Sequence, residues 1–220
     1  HWVYGSITGL AVDSRDHVWM IHRANNPETI RGQEVGFSEV CCKNAPRVLE
    51  FDPAGNLVQA WGPGPTWMES EHGITVDDKA NVVWLAGGGG GDSQILKYTM
   101  DGKFLQQIGK KDARVRKNGP NEAAGDVVGT TRKIADPNSL DMESFGRATK
   151  VWIDKPANEA YVSDGYVNHR VVVLDATTGK FKRIWGAYGN KPDDTLPPGK
   201  PEAKRGGPTA SQPSDRGPPH

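Results

Sequence analysis

Three side chains of the sequence have types that can do proton-transfer or metal chemistry: Arg23, His72 and Tyr166. A tyrosine has a pKa of about 10 and acts as a base only where a metal or a cation stabilises its phenolate. An arginine supplies that field permanently, because it does not deprotonate. One histidine does not make a catalytic zinc site, because such sites use three protein ligands and an open position.

Each of these residues also has a purely structural interpretation. Arg23 can pair with Glu28 or Glu34 in the segment that follows it. Tyr166 can pack at the end of a strand with its hydroxyl in water, and His72 can hydrogen-bond to the backbone without contacting a metal. Residue type alone leaves both interpretations open at all three positions.

The elements that would position these side chains come from an internal repeat. Each copy starts with an apolar segment ending in aspartate, reaches an aromatic residue six or seven positions later, and closes on an apolar residue followed by glycine. The copies start at Gly9–Asp13, Gly73–Asp77 and Lys150–Asp154, have Trp19, Trp84 and Tyr161 as the aromatic residue, and close on Trp61-Gly62, Ile108-Gly109 and Trp185-Gly186. Because the three aspartates share one repeat position, we expect them to cap turns rather than act as acids.

The repeat predicts an all-β fold. Four short apolar strands per copy, separated by Asp-Gly and Asn-type turns, are typical of antiparallel meanders. No stretch sustains the apolar spacing of an amphipathic helix. Because a small meander cannot bury both faces alone, we expect the copies to stack radially as the blades of a β-propeller. The pattern resembles NHL-type propeller repeats, with blades near residues 5–62, 70–109 and 147–186.

The remaining segments are predicted to lie outside the blades. Residues 24–46 and 110–147 are polar insertions, expected to form loops over one face, and residues 191–220 form a Pro- and Gly-rich extended tail. The run 87–91 of five glycines predicts a flexible blade turn, since no Gly-Lys-Ser/Thr follows it as a phosphate loop requires. Closed propellers need about four to eight blades. Three visible blades therefore predict a longer protein, or other chains or copies of this one that supply the rest.

Composition narrows the function classes. The 27 basic and 27 acidic residues balance, which argues against a nucleic-acid partner. The longest apolar runs, of four or five residues, cannot span a membrane. The adjacent pair Cys41 and Cys42 can form a strained vicinal disulfide, or carry two free or metal-bound thiols.

Three segments carry a more specific resemblance. Val18–Arg23, Ser70–Ile74 and above all the Ser-Asp-Gly-Tyr-x-Asn-x-Arg run at 163–170 resemble the peptidylglycine α-hydroxyglycine α-amidating lyases. That family has six-bladed propellers that split peptidyl-α-hydroxyglycine into peptide amide and glyoxylate. A bacterial branch of secreted propellers resembles the chain more closely, including the Cys-Cys pair and the Trp-Gly-Ala-Tyr-Gly-Asn-Lys-Pro segment at 185–192.

The resemblance implies roles for five residues. Arg23 matches an active-site arginine, Tyr166 the proposed general base, and His72 one of three zinc-binding histidines. The backbone carbonyls of Leu10 and Ile74 match ligands of a structural calcium on the propeller axis. The family's other zinc histidines, a third calcium contact and an active-site methionine fall in blades beyond these three.

Two functions follow as expectations. The first is a secreted, extracellular or periplasmic lyase acting on a peptide substrate. The second is a non-catalytic extracellular propeller that binds partners or assembles with copies of itself, which the small number of visible blades favours.

Overall fold

The computed structural model describes residues 2–23, 43–115, 136–186 and 189–194, and within them the fold is all-β. Twelve strands form three four-stranded antiparallel sheets, each in chain order, so the predicted blades are confirmed. Blade 1 contains β2 (Ser6–Val12), β3 (Val18–Arg23), β5 (Val48–Phe51) and β6 (Leu57–Trp61). Blade 2 contains β7 (Glu71–Asp77), β8 (Val82–Gly87), β9 (Gln94–Tyr98) and β10 (Phe104–Gly109). Blade 3 contains β11 (Lys150–Asp154), β12 (Glu159–Asp164), β13 (Arg170–Asp175) and β14 (Phe181–Trp185).

Two short strands lie outside the blades. β1 (Trp2–Val3) pairs in parallel with β4 (Lys43–Asn44). In the described part of the chain, no helix is long and apolar enough to cross a membrane.

The turns of the blades follow from local sequence. Gly55, Gly102 and Gly179 link the third and fourth strands with φ of 85°, 83° and 73°, a conformation that favours glycine. The repeated aspartates cap turns as predicted. Asp13 Oδ1 accepts the N–H groups of the residues two and four positions later, and Asp154 Oδ1 accepts the N–H three positions later.

The blades pack face to face, and each interface holds one apolar core. Between blades 1 and 2, Trp19 and Ile21 pack with Ile74 and Leu85. The core between blades 2 and 3 is formed by Trp84, Ala86, Ile95, Val151 and Val162, among others. The first strands of adjacent blades lie side by side, and Thr75 Oγ1 on β7 donates a hydrogen bond to the Val151 carbonyl on β11.

The insertions are described only in part. Residues 24–42 and 116–135, which include Cys41 and Cys42, lie outside the described residues, as do positions 195–220 of the predicted tail. The described end of the second insertion belongs to the core, because Phe145 is fully buried and stacks on Phe181 with ring centroids 5.2 Å apart. That end therefore contributes a side chain to the core between blades 2 and 3.

Candidate functional site

The loop that carries Tyr166 is anchored by a buried ion pair. Arg170 Nε lies 2.9 Å from Asp164 Oδ2, and both side chains are fully shielded from water. The Asp164 carboxylate also accepts hydrogen bonds from Asn168 Nδ2 at 2.8 Å and from the Gly146 N–H at 2.7 Å. The Asp, Asn and Arg of the recognised run thus form a support, from which Tyr166 projects with 53% of its surface exposed.

Arg170 also hydrogen-bonds to the segment 139–146, which precedes blade 3. Its guanidinium donates to the carbonyls of Ser139 at 2.7 Å, Ser144 at 2.8 Å and Asp141. A buried charge requires such complete pairing, because an unpaired one costs several kcal/mol. The segment 139–146 is therefore held against the base of the tyrosine loop.

The strand that carries His72 has its own anchor. The buried carboxylate of Glu71 accepts hydrogen bonds from Trp67 Nε1 at 2.7 Å and from Arg47 Nη1 at 2.8 Å. The backbone carbonyl of Glu71 accepts a 2.9 Å hydrogen bond from Arg23 Nε on β3. Arg23 is thereby fixed beside the residue that precedes His72.

The five-glycine run at 87–91 forms a packed turn behind His72, which corrects the expectation of a flexible one. The buried Asp92 carboxylate accepts the N–H groups of Glu69, Ser70 and Gly89 at 2.7, 3.0 and 2.7 Å. A Cβ at Gly88 would lie 3.0 Å from His72 Cδ2, so glycine lets the imidazole pack against the turn.

His72 and Tyr166, 94 residues apart in sequence, meet at one mouth of the assembly. His72 Nε2 lies 3.2 Å from the Tyr166 hydroxyl, and the two rings pack edge to face. Arg147 Cζ lies 4.7 Å from the centroid of the Tyr166 ring, and Arg147 Nε donates a 2.6 Å hydrogen bond to the Gly88 carbonyl.

Sequence reasoning missed Arg147. It sits at the end of a polar insertion in a stretch that carries no motif of its own. Its φ of 66° is in the left-handed region, which disfavours a side chain and is often found at functional sites. Only the three-dimensional packing shows that this backbone conformation points a guanidinium at Tyr166.

The surroundings keep the His72 imidazole neutral. Burial lowers the pKa of His72 below its ordinary value, and the positive charges of Arg23 and Arg147 lower it further, against an opposing backbone hydrogen bond at Thr149. A neutral imidazole keeps one nitrogen as a hydrogen-bond acceptor. Its Nε2 can therefore accept the proton of the Tyr166 O–H group.

One cluster of potential metal ligands occurs in the described residues, and it lies away from His72. Ligand atoms of Asp13, His17 and Glu50 all lie within 4.8 Å of one another. Arg15 Nη2 already contacts both carboxylates, at 2.6 Å from Asp13 and 2.7 Å from Glu50. Burial would raise the pKa of Asp13, but hydrogen bonds from Arg15 and Trp19 lower it to about 2. The group could hold a metal, yet it is already an internally satisfied ion-pair network.

The two carbonyls assigned to calcium by resemblance meet a side chain instead. Lys150 Nζ lies 2.6 Å from the Ile74 carbonyl oxygen and 3.4 Å from that of Leu10. Partial burial lowers the pKa of Lys150 below its ordinary value, although the residue as a whole is exposed. The carbonyls of two blades therefore converge on an ammonium group donated by the third.

Comparison with solved structures finds weak overall likeness. The structure of U3-55K aligns with a TM-score of 0.44 and 8% identity, covering 84% of this chain and 41% of that one. A protein of unknown function from Bacteroides thetaiotaomicron aligns with a TM-score of 0.46 and 11% identity, covering 81% and 35% of the two chains.

Comparison with curated proteins finds distant relatives. The peptidyl-glycine alpha-amidating monooxygenases of Mus musculus and Rattus norvegicus are each 24% identical over 190 residues, or 83% of this chain. The chain spans 16% of the length of each of these relatives. No protein-family model matches the chain. The chain is thus a set of propeller-like blades with distant similarity to peptidylglycine amidating enzymes.

Proposed function

We propose that Tyr166, His72 and Arg23 form part of a lyase site of the amidating type. The reaction would cleave the C–N bond of a peptidyl-α-hydroxyglycine and release a peptide amide and glyoxylate. The observation that carries the proposal is the 3.2 Å contact between the Tyr166 hydroxyl and Nε2 of His72, with the Arg147 guanidinium 4.7 Å from the centroid of the Tyr166 ring. Distant similarity to peptidyl-glycine alpha-amidating monooxygenases supports a role in peptide amidation.

The geometry gives each residue a step. His72 Nε2 accepts the Tyr166 proton, and the phenolate then removes the proton from the substrate's α-hydroxyl. The electron pair left on that oxygen forms the aldehyde C=O of glyoxylate as the C–N bond breaks. The departing amide nitrogen takes the proton held on His72, so the enzyme returns to its starting state. Arg147, above the Tyr166 ring, stabilises the phenolate.

The arginines also suit the substrate. A peptidyl-α-hydroxyglycine ends in a carboxylate, and guanidinium groups bind carboxylates through charge-assisted hydrogen bonds. Arg23 and Arg147 act on the same imidazole electrostatically, so both lie close to the proposed reaction centre. A C-terminal carboxylate would therefore be attracted to this mouth.

The resemblance implies one zinc ligand among the described residues, His72. Were zinc bound at His72, it would polarise the α-hydroxyl as a Lewis acid. A catalytic zinc needs three protein ligands. The one cluster of potential metal ligands in the described residues lies in blade 1 around Glu50, so no step above depends on the metal.

The proposal is tested by supplying an N-acyl-α-hydroxyglycine and measuring glyoxylate. We expect release above the buffer blank, and a loss of about 10²–10⁴-fold in Tyr166→Phe, the typical contribution of a general base. Tyr161→Phe is the matched control, because the Tyr161 hydroxyl bonds Glu159 on a face away from His72. Release no faster than the blank, or equal rates in the two variants, would contradict the proposal.

The alternative function is a non-catalytic secreted module that binds partners or copies of itself. The outer face of blade 3 favours it, because Trp152 there is 59% exposed and is one of a row of aromatic rings with Tyr161 and Trp185. Exposed aromatic patches often mark protein interfaces. Absence of glyoxylate release together with self-association would support this function.

A further inference from the structure

One repeat position at the centre of the assembly differs between the blades. Blades 1 and 2 have glycine there, Gly9 and Gly73, whereas blade 3 has Lys150. A Cβ at Gly73 would lie 2.2 Å from the Thr149 carbonyl oxygen, and one at Gly9 would lie 3.1 Å from the Ile74 nitrogen. Backbone crowding therefore requires glycine at position 73 and leaves little room for a side chain at position 9, and the long side chain occurs in the third blade.

The Lys150 side chain of blade 3 contacts both of the other blades. Its ammonium is 2.6 Å from the carbonyl oxygen of Ile74 on β7 and 3.4 Å from that of Leu10 on β2. Lysine offers three N–H donors that rotate freely about the end of its stem. One ammonium thus connects the first strands of all three blades.

The contacts match an ammonium rather than a divalent ion. Calcium takes six to eight oxygen ligands at about 2.3–2.6 Å. A calcium ion between these carbonyls would lie next to the positive charge of Lys150 and would displace its hydrogen bonds. The one carboxylate–histidine cluster in the described residues lies around Asp13, and Arg15 already bridges it. The residues at this point therefore do not fit the calcium that the resemblance implies.

We propose that Lys150 is the axial cation of this protein and takes the place of a structural metal ion. It neutralises the converging carbonyl dipoles of Leu10 and Ile74 and fastens the three blades at their inner edge. Ile74 lies two residues after His72 on the same strand, so the contact also fixes the strand that carries the histidine.

The first test needs no variant. Unfolding of the unmodified protein is followed by circular dichroism in millimolar calcium and in excess EGTA. We expect the same melting temperature in both, because the carbonyls are already occupied. A melting temperature that rises with calcium and falls with EGTA would overturn the proposal.

The second test removes the charge and keeps the stem. Lys150→Met should lower the melting temperature by roughly 3–8 °C, because carbonyls lose hydrogen bonds to a charged group. Lys180→Met, at an exposed lysine on the same blade, is the matched control and should change it little. Lys150→Arg, which keeps a cation, should lower the melting temperature less than Lys150→Met does. Equal melting temperatures for Lys150→Met and Lys180→Met would overturn the proposal, and none of these readouts depends on lyase activity.

Discussion

The aromatic repeat position is buried in blades 1 and 2 and partly open in blade 3. Trp19 in blade 1 and Trp84 in blade 2 are 0% and 2% exposed, each covered by the first strands of the following blade. Tyr161 in blade 3 is only partly buried, and its cross-strand partner Trp152 is largely exposed. The position is therefore buried where a following blade packs against it, and it is partly open in blade 3.

The first strands of the blades show the complementary pattern of exposure, because each first strand packs on the aromatic position of the preceding blade. Ile74 and Val151, which cover the aromatic positions of the preceding blades, are 0% and 2% exposed. Leu10, at the same repeat position in blade 1, is 56% exposed, and Val12 next along that face is 62% exposed. Blade 3 thus has an open face at Tyr161 and Trp152, and blade 1 exposes an apolar residue, Leu10, at the strand position that is buried in blades 2 and 3.

The largest expected effect comes from truncating the covered aromatic residue. Trp84→Ala should lower the free energy of unfolding by about 3–5 kcal/mol, because it leaves a cavity in a packed core. Trp152→Ala on the open face should cost less than about 1 kcal/mol. Urea denaturation of both variants measures the difference. Equal losses would mean that the blade 3 face is covered after all.

A second contrast concerns two lysines. Lys97 is 5% exposed, lies over the Trp84 ring, and donates to the carbonyls of Ala176 and Thr177 in blade 3 at 3.0 and 3.2 Å. Lys97→Met should cost about 1–2 kcal/mol, because it leaves these carbonyls without their donor. Lys182→Met on the open blade removes a surface ion pair with Glu159 and should change stability by less than about 0.5 kcal/mol. Urea denaturation measures both variants, and a larger loss in the free energy of unfolding for Lys182→Met than for Lys97→Met would contradict this contrast.

A third contrast is pH dependence. His22 in blade 1 is fully buried, accepts the Gly5 N–H at Nδ1, and lies 2.8 Å from the Pro46 carbonyl through Nε2. Burial lowers the pKa of His22 below the ordinary value of 6.5. The unfolded chain therefore binds the proton more readily, and stability present above about pH 6.5 is lost as the pH falls, by at most about 1.4 kcal/mol per pH unit.

His22→Gln should remove that part of the pH dependence between pH 7 and pH 5. His169→Gln, at an exposed position of blade 3, is the control and should leave the slope unchanged. Melting curves at each pH provide the measurement. An unchanged slope in His22→Gln would show that His22 does not titrate in this way.

The last prediction concerns self-association through the open face of blade 3, where we expect the smallest change in the stability of the single chain. If the open face takes a second copy, dilution should lower the apparent mass in light scattering. Trp152→Lys should weaken that association while altering the stability of the single chain by less than about 0.5 kcal/mol. An apparent mass of 23.9 kDa, that of one chain, at every concentration would remove self-association as an explanation for the open face.

The blades could be predicted from sequence because their signals are local. The alternation of apolar residues, the glycines of positive φ and the capping aspartates all act within a few positions. The environments of Arg147, Asp92 and Lys150 could not be predicted, because each depends on backbone groups of another segment. Five glycines in a row predict a loose turn, and only the Asp92 carboxylate, bonded to three N–H groups, makes that turn compact.

The candidate site likewise has features that the sequence indicates and features that only the packing reveals. Resemblance indicated Arg23, His72 and Tyr166, and the structure places the Tyr166 hydroxyl 3.2 Å from His72 Nε2 and Arg23 against the carbonyl of Glu71. The neighbouring Asp164 and Arg170 were recognised only as part of a sequence run, because a run does not reveal which members are buried. The catalytic roles themselves stay predictions until glyoxylate is measured.

The buried support beneath Tyr166 has a consequence for protein engineering. Asp164, Asn168 and Arg170 bond to one another and to the segment 139–146, while a Cβ at Gly165 would meet no atom within 4 Å. The exposed positions 165 and 166 can therefore be randomised without disturbing the residues that close the loop. A library confined to these two positions should yield folded proteins with new side chains presented beside His72.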